Sequence, residues 1–319
     1  MTALAGILTQ GLHIALVVAA APLLLGAIRW LKARMLGRAA PHPLQPLRDM
    51  RKLLQKRPVM PENASWITRT APYAAAATAL AALALVPGFA RGMALAPLSD
   101  LLLLAGLLAL GRVALALAAL DAGTAFGGLG AAREMSFAAL AEPALLIAAL
   151  ILAILAGTTG IEAIAAGFQD GAPGLRVSLV LALIAICAVA LADTARIPVD
   201  NPATHLELTM VHEAMILEAS GRHLALWEAA AAFRLTFWLA LIAAVFIPFG
   251  TAPAGFAPLG WVLGLLAWVA KLALLALVLA AFESAIAKMR VFRVPEFLGI
   301  ALLLGLLGAI LLFVSTRLA

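Results

Sequence analysis

The stretch LRVSLVLALIAICAVALAD, residues 175–193, is apolar almost from end to end. It runs straight into TARIPVDNPATHLELTMVHEAMILE, residues 194–218, which holds two histidines and four carboxylates. About twenty apolar residues in a helix match the hydrocarbon thickness of a bilayer. The first part therefore reads as a spanning helix and the second as the connection that follows it at one membrane face. A sheet is excluded, because open edges cannot be satisfied in lipid and no alternating ten-residue pattern of a barrel occurs. Leu and Ala dominate the run, and both favour helix.

Working outward, the same reading predicts seven more spans at about 10–31, 71–88, 98–120, 137–157, 233–250, 258–282 and 296–316. The chain has 319 residues, of which 65% are hydrophobic and 12% charged. That composition suits one all-α polytopic membrane domain over 1–319 and excludes a pair of soluble domains. Nine basic residues lie between Lys32 and Arg69 in the first connection. Arg133 follows in the third, Arg196, Arg222 and Arg234 in the fifth, and Lys288, Arg290 and Arg293 in the seventh. The second has Arg91, and the fourth and sixth essentially nothing. The positive-inside rule then predicts cytoplasmic odd connections and both termini outside the cell. The net charge of +6 is this asymmetry, not a nucleic-acid footprint. No basic segment precedes the first apolar run, so that run is expected to be a retained span. The one cysteine, Cys187, excludes a four-thiolate iron–sulfur or zinc site within this chain and reads as a packing residue.

Two connections stand out. In the first, residues 41–58 read as a basic amphipathic cytoplasmic helix that starts near Gln45 with Pro46 in its first turn. Leu47, Met50, Leu53 and Leu54 would form one face, opposite Arg48, Arg51 and Lys52. Such a helix could lie on an anionic leaflet or dock a soluble subunit. In the fifth, residues 194–232, Pro198 and Pro202 stop the preceding span. Asn201 and Pro202 predict a new helix from Ala203 to Ser220, with Gly221 as its C-terminal stop. Glu207 and Glu218 would share one face, His205 and His212 a second, and Glu213 a third. These charges could be merely solvated. The apolar residues around them instead predict packing on several sides, with carboxylate pKa values raised by desolvation and suited to proton exchange. The histidines are seven apart, too long a step for a helical metal pair, so no metal site is expected.

Arg112, Glu142 and Lys271 fall inside predicted spans, and Asp193 and Glu283 at span ends. A central charge costs about 2.5–3.5 kcal/mol on insertion scales, so each should face the bundle interior or water. They could fasten helices as ion pairs or line a proton path. With Asp200, Glu207, Glu213 and Glu218 they make up the proton-coupling candidates. The candidate docking residues are Arg48, Asp49, Arg51, Lys52, Arg133, Glu134, Arg196, Arg290 and Arg293, all in or beside odd connections.

The block ARIPVDNPATHLELTMVHEAMILEASGRHLAL, together with PLQPLRDMRKLL, REMSFAALAEPALL and ESAIAKMRVFRVPEFL, resembles the complex I subunit 1 family. The version it is most similar to is that of membrane-bound nickel–iron hydrogenases of the formate hydrogenlyase and hydrogenase-4 type. The resemblance implies a non-catalytic inner-membrane anchor. Its expected partners are hydrogenase large and small subunits carrying nickel–iron and iron–sulfur centres, and antiporter-like membrane subunits. It implies coupling of electron transfer to proton translocation, with no cofactor bound by this chain. The alternative is the quinone-site subunit of a true complex I. The fifth connection here carries fewer acids than that version and has two histidines, which points away from quinone.

Overall fold

The computed structural model describes residues 2–169, 171, 176–200 and 210–318. Among them every expected span is a helix. In chain order the elements are α1 Thr2–Met35, α2 Gln45–Leu54, α3 Trp66–Leu85, α4 Leu101–Asp121, α5 Ala125–Ala156, α6 Ile161–Gln169, α7 Val177–Asp193, α8 His212–Ile216, α9 Gly221–Phe246, α10 Pro258–Ala285 and α11 Val294–Leu318. Six of these are long and apolar enough to cross a membrane, namely α1, α4, α5, α9, α10 and α11. The shorter apolar α7 and the Ala-rich α3 stand among them. The chain is an all-α polytopic membrane protein.

Several boundaries differ from the apolar runs. α5 begins twelve residues before the predicted 137, and α9 twelve before the predicted 233. Helix hydrogen bonding continues through residues too polar for lipid, so hydropathy marks only the membrane-embedded part of each helix. Pro22, Pro72 and Pro143 sit inside α1, α3 and α5 without ending them.

The central helix is α9, on which almost every side chain from Ala232 to Val245 is buried. It packs against α1, α3 and α10, while α4 bridges α3 to α5, and α5, α7 and α11 form the far side. Small side chains permit the closest approaches. Ala75, Ala79 and Ala82 of α3 are buried in the bundle, and a Cβ on Gly111 of α4 would stand 2.8 Å from Thr78 Oγ1.

Loop contacts bear out the alternation of the spans. Arg222 N donates to Lys56 O, Met289 N to Pro198 O, and Arg133 Nη1 to Met210 O, so all four odd connections meet at one end. Ala94 N donates to Gly6 O, Arg91 N to Ala252 O, and Leu101 N to Thr159 O, which joins the N-terminus and the even connections at the other.

Two local expectations are corrected. In α2 the inward residues are Pro46 and Met50, while Leu47 and Leu54 are exposed beside Arg48, Arg51 and Lys52. Its packing on α9 and α1 selects a different apolar stripe from the one the spacing favours. The helix predicted over 203–220 is, among the described residues, only α8. Met210, Val211 and residues 217–220 are not helical, and residues 201–209, which include His205 and Glu207, lie outside the described residues. Gly221 opens α9 rather than closing a helix. Its φ is +53°, and a Cβ there would stand 2.6 Å from Arg57 O, so only glycine lets the connection after α2 cross the start of α9.

Candidate functional site

Arg112 and Glu142, two of the three charges inside predicted spans, meet Asp193 at one point in the bundle. Asp193 ends α7, and its side chain is fully enclosed. Arg112 Nη2 of α4 donates to its Oδ1 at 2.6 Å, Arg234 Nη2 of α9 donates to the same oxygen at 2.9 Å, and Trp238 Nε1 donates to Oδ2 at 2.8 Å. One carboxylate thus ties three helices together. Arg112 reaches further, with Nη1 donating to Glu142 Oε1 of α5 at 2.7 Å and Nε 3.4 Å from Glu134 Oε1. Arg234 also donates to the Leu108 carbonyl at 3.1 Å. Charges at such depth persist only when paired.

The turn after α7 carries this hub toward the loops. Arg196 N donates to Leu191 O and Ala195 N to Ala192 O, a Schellman-type ending with Ala195 at φ +49° in the position usually held by glycine. Arg196 is thereby aimed at Glu283 of α10, with Nη1 donating to Oε1 at 3.0 Å. Lys32 Nζ of α1 donates to Glu283 Oε2 at 3.1 Å. Asp200 accepts from Lys288 Nζ at 2.9 Å.

Hub and turn flank a chamber of about 650 Å³. Leu25, Ile28, Ala79, Leu108, Trp227 and Leu235 give it an apolar wall, and Arg29, Lys32, Arg196, Glu213, Glu228 and Glu283 a charged one. Asp193, His212 and Arg234 line it as well. This size and character fall in the range of small-molecule sites. Among the described residues no group of three or more His, Cys, Asp or Glu side chains is placed to hold a metal ion.

Of the coupling candidates, Arg112, Glu142 and Asp193 meet in the hub, and Glu283 and Asp200 hold the turn beside it. Glu213 lines the chamber, Glu218 is exposed in the turn after α8, and Glu207 lies outside the described residues. Lys271 is half-buried on α10, apart from this cluster. Among the docking candidates, Arg48, Arg51, Lys52, Arg290 and Arg293 are exposed, and Gln45 Nε2 donates to Asp49 Oδ1 at 2.9 Å. Arg133, Glu134 and Arg196 are instead turned inward, toward Met210 O, Arg112 and Glu283. Sequence reading missed Arg234, Lys32 and Trp238 as partners. Arg234 could have been found from its place fourteen residues into an apolar helix, had that helix been started at Gly221.

His212 opens α8 at the chamber wall. Burial pushes its pKa down to about 4, and Arg234 adds to the effect against Asp200 and Asp193. Its unfolded value is 6.5, so the unfolded chain binds the extra proton first as pH falls. Stability should therefore be full above pH 6.5 and decline toward pH 4, by roughly 3 kcal/mol in all. The thermal midpoint of the detergent-solubilised protein should fall across this window, and His212→Gln should flatten that slope. An unchanged slope in the variant would refute the assignment.

The NADH dehydrogenase family profile matches residues 8–314. Formate hydrogenlyase subunit 4 of Escherichia coli (strain K12) is 32% identical over 281 residues, covering 87% of this chain and 89% of that protein. Hydrogenase-4 component C of the same organism is 34% identical over 233 residues, or 72% of each. A chain of the membrane-bound sulfane sulfur reductase, an archaeal respiratory membrane complex, has the same fold. Its TM-score is 0.81 at 21% identity, over 96% of this chain and 98% of that one. With a match across nearly its whole length and two relatives above 30% identity, the chain belongs to the NADH dehydrogenase family, on its subunit 1 line.

Proposed function

We propose that this chain is the non-catalytic membrane subunit of an energy-converting nickel–iron hydrogenase complex of the formate hydrogenlyase kind. It anchors a soluble redox arm and couples electron transfer there to proton movement through the membrane. The two relatives above 30% identity favour this over the quinone-site subunit of complex I. The observation that carries the coupling is the chain of charges from the chamber wall to mid-helix: Glu213 and Glu283 at the loops, Asp193 and Arg112 behind them, and Glu142 at the flank of α5. The Glu142 side chain is 44% exposed although bonded to Arg112, which leaves the path open to an adjoining membrane subunit. A redox centre gaining charge above the chamber would shift these groups electrostatically, because charges act strongly where water is scarce.

In this reading nickel–iron and iron–sulfur centres belong to the hydrogenase large and small subunits, antiporter-like subunits lie alongside in the membrane, and no quinone is used. The membrane in this reading is the inner membrane, with the odd connections in the cytoplasm and both termini in the periplasm, an orientation that the basic asymmetry supports. The exposed Arg48, Arg51 and Lys52 of α2, with Leu47 and Leu54 beside them, form the contact for the arm. Changing all three to Glu should lower the salt concentration at which the arm washes off native membranes severalfold, since exposed charge pairs are screened over about 10 Å at 0.1 M salt. An arm that stays bound with unchanged salt dependence would remove α2 from the docking face. Purification of the native complex without any of the hydrogenase subunits would sink the whole reading.

A further inference from the structure

The described residues hold no counterion for Lys271. It lies midway along α10, thirteen residues from Pro258 and fourteen from Ala285, so its Cα is about 20 Å from either helix end at about 1.5 Å per residue. A lysine stem of about 6 Å cannot snorkel from there to either interface of a hydrocarbon core about 30 Å thick. The helices packed against α10 are α1 and α9. α1 contains no Asp or Glu at all, and α9 contains only Glu228, seven residues from its loop end and about 10 Å from the depth of Lys271. Among the described residues no carboxylate bonds to the Lys271 ammonium. Its side chain sits at the margin between the buried stripe of Trp268, Leu272 and Ala276 and the uncovered face of α10. On that face small Ala270 lies beside it, with Leu274 52% and Val278 56% exposed. Small residues let a second helix approach closely, and a polar group in lipid is satisfied only by a neighbour in the membrane.

We infer that the Lys271 face of α10 is the docking surface for a transmembrane helix of a partner subunit that places an Asp or Glu carboxylate at mid-bilayer. This rests on the reading of the chain as one subunit of a membrane complex. A lipid phosphate cannot be the counterion, because headgroups lie at the interface and not at this depth. A second copy of this chain fits poorly, since among the described residues the carboxylate at comparable depth on an exposed flank, Glu142, is already bonded to Arg112. The ammonium would also fix register, because a helix that slid by one turn would carry its carboxylate about 5 Å away from Lys271.

The test uses the native complex, purified in mild detergent through a tag on this chain, with soluble-arm and integral-membrane subunits quantified separately. Lys271→Glu should cut the retained membrane subunit at least tenfold while the soluble arm remains. Lys271→Arg should retain it, and Lys271→Met should lose it with the yield of this chain unchanged. In the Lys271→Glu background, changing the partner's mid-bilayer Asp or Glu to Lys should restore retention. Full retention in Lys271→Glu, failure of the reversed pair to restore it, or a homodimer held through this face would each overturn the inference. Loss of the soluble arm from the unmodified complex, with the membrane subunit still bound, would count against the hydrogenase reading and leave the Lys271 surface standing.

Discussion

Asp193→Ala should leave little folded protein in the membrane. The wild-type carboxylate has no exposed surface and accepts from two guanidinium groups and an indole. Its removal strands Arg112 and Arg234, both buried, and among the described residues leaves Glu134 and Glu142 near the first of them. Breaking a buried ion pair by deleting one partner costs about 3–5 kcal/mol. Folded domains hold only about 5–15 kcal/mol in total. Asp193→Asn keeps a carbonyl for the Trp238 or arginine donors but not the charge, and should be intermediate. The measurement is the monodisperse fraction after detergent extraction, followed by its thermal midpoint. Wild-type values for Asp193→Ala would mean that the hub is not what joins α4, α7 and α9.

Much of this hub was legible in the sequence, for a physical reason. A charge in an apolar run is expensive in lipid, so Arg112, Glu142, Asp193 and Glu283 announce themselves without any structure. Which charge meets which was not legible. Asp193 finds Arg112 81 residues away and Arg234 41 residues away, and Lys32 finds Glu283 across 251. Those separations are set by how the helices pack, and no local pattern encodes them. Arg234 was missed because the apolar run begins only at 233, which leaves it at the span edge, counted with the basic residues of the connection, while α9 itself begins at Gly221. The fifth connection failed differently. Its prolines and apolar spacing favour a long helix, but between Val211 and Ser220 the chain is shaped by tertiary contact. A Cβ on Gly130 of α5 would stand 2.8 Å from Val211 O and 3.2 Å from Ala214 Cβ, so α8 is pressed onto α5. Local propensity yields to that packing. The exposed Glu218 follows from the same shortening, since no helix carries it back toward the core.

Glu283→Gln should spare the fold and uncouple the complex. Glu283 is buried, with 3% of its side chain exposed, and takes Lys32 from α1 on one oxygen and Arg196 from the turn after α7 on the other. It therefore latches α1, α10 and residues 194–200 together at the chamber wall. Glutamine retains one acceptor oxygen but carries no charge, and its amide nitrogen would face a cation. Lys32 is 26% exposed and can turn to water, so the loss falls mainly on Arg196, at about 1.5–3 kcal/mol for a charged hydrogen bond. Asp200 still holds Lys288, and Met289 N still donates to Pro198 O, so the turn stays tethered and the bundle intact. Amide exchange at Arg196, Val199 and Asp200 should accelerate about tenfold, a step of about 1.4 kcal/mol, while α9 amides keep wild-type protection. In the assembled complex, proton translocation should fall at least tenfold while hydrogen evolution from an artificial donor persists, because the proposed function assigns the redox centres to the soluble arm. Equal loss of both activities would point to failed assembly instead. Unchanged exchange with normal translocation would reduce the Lys32–Glu283–Arg196 cluster to a structural clamp with no part in moving protons.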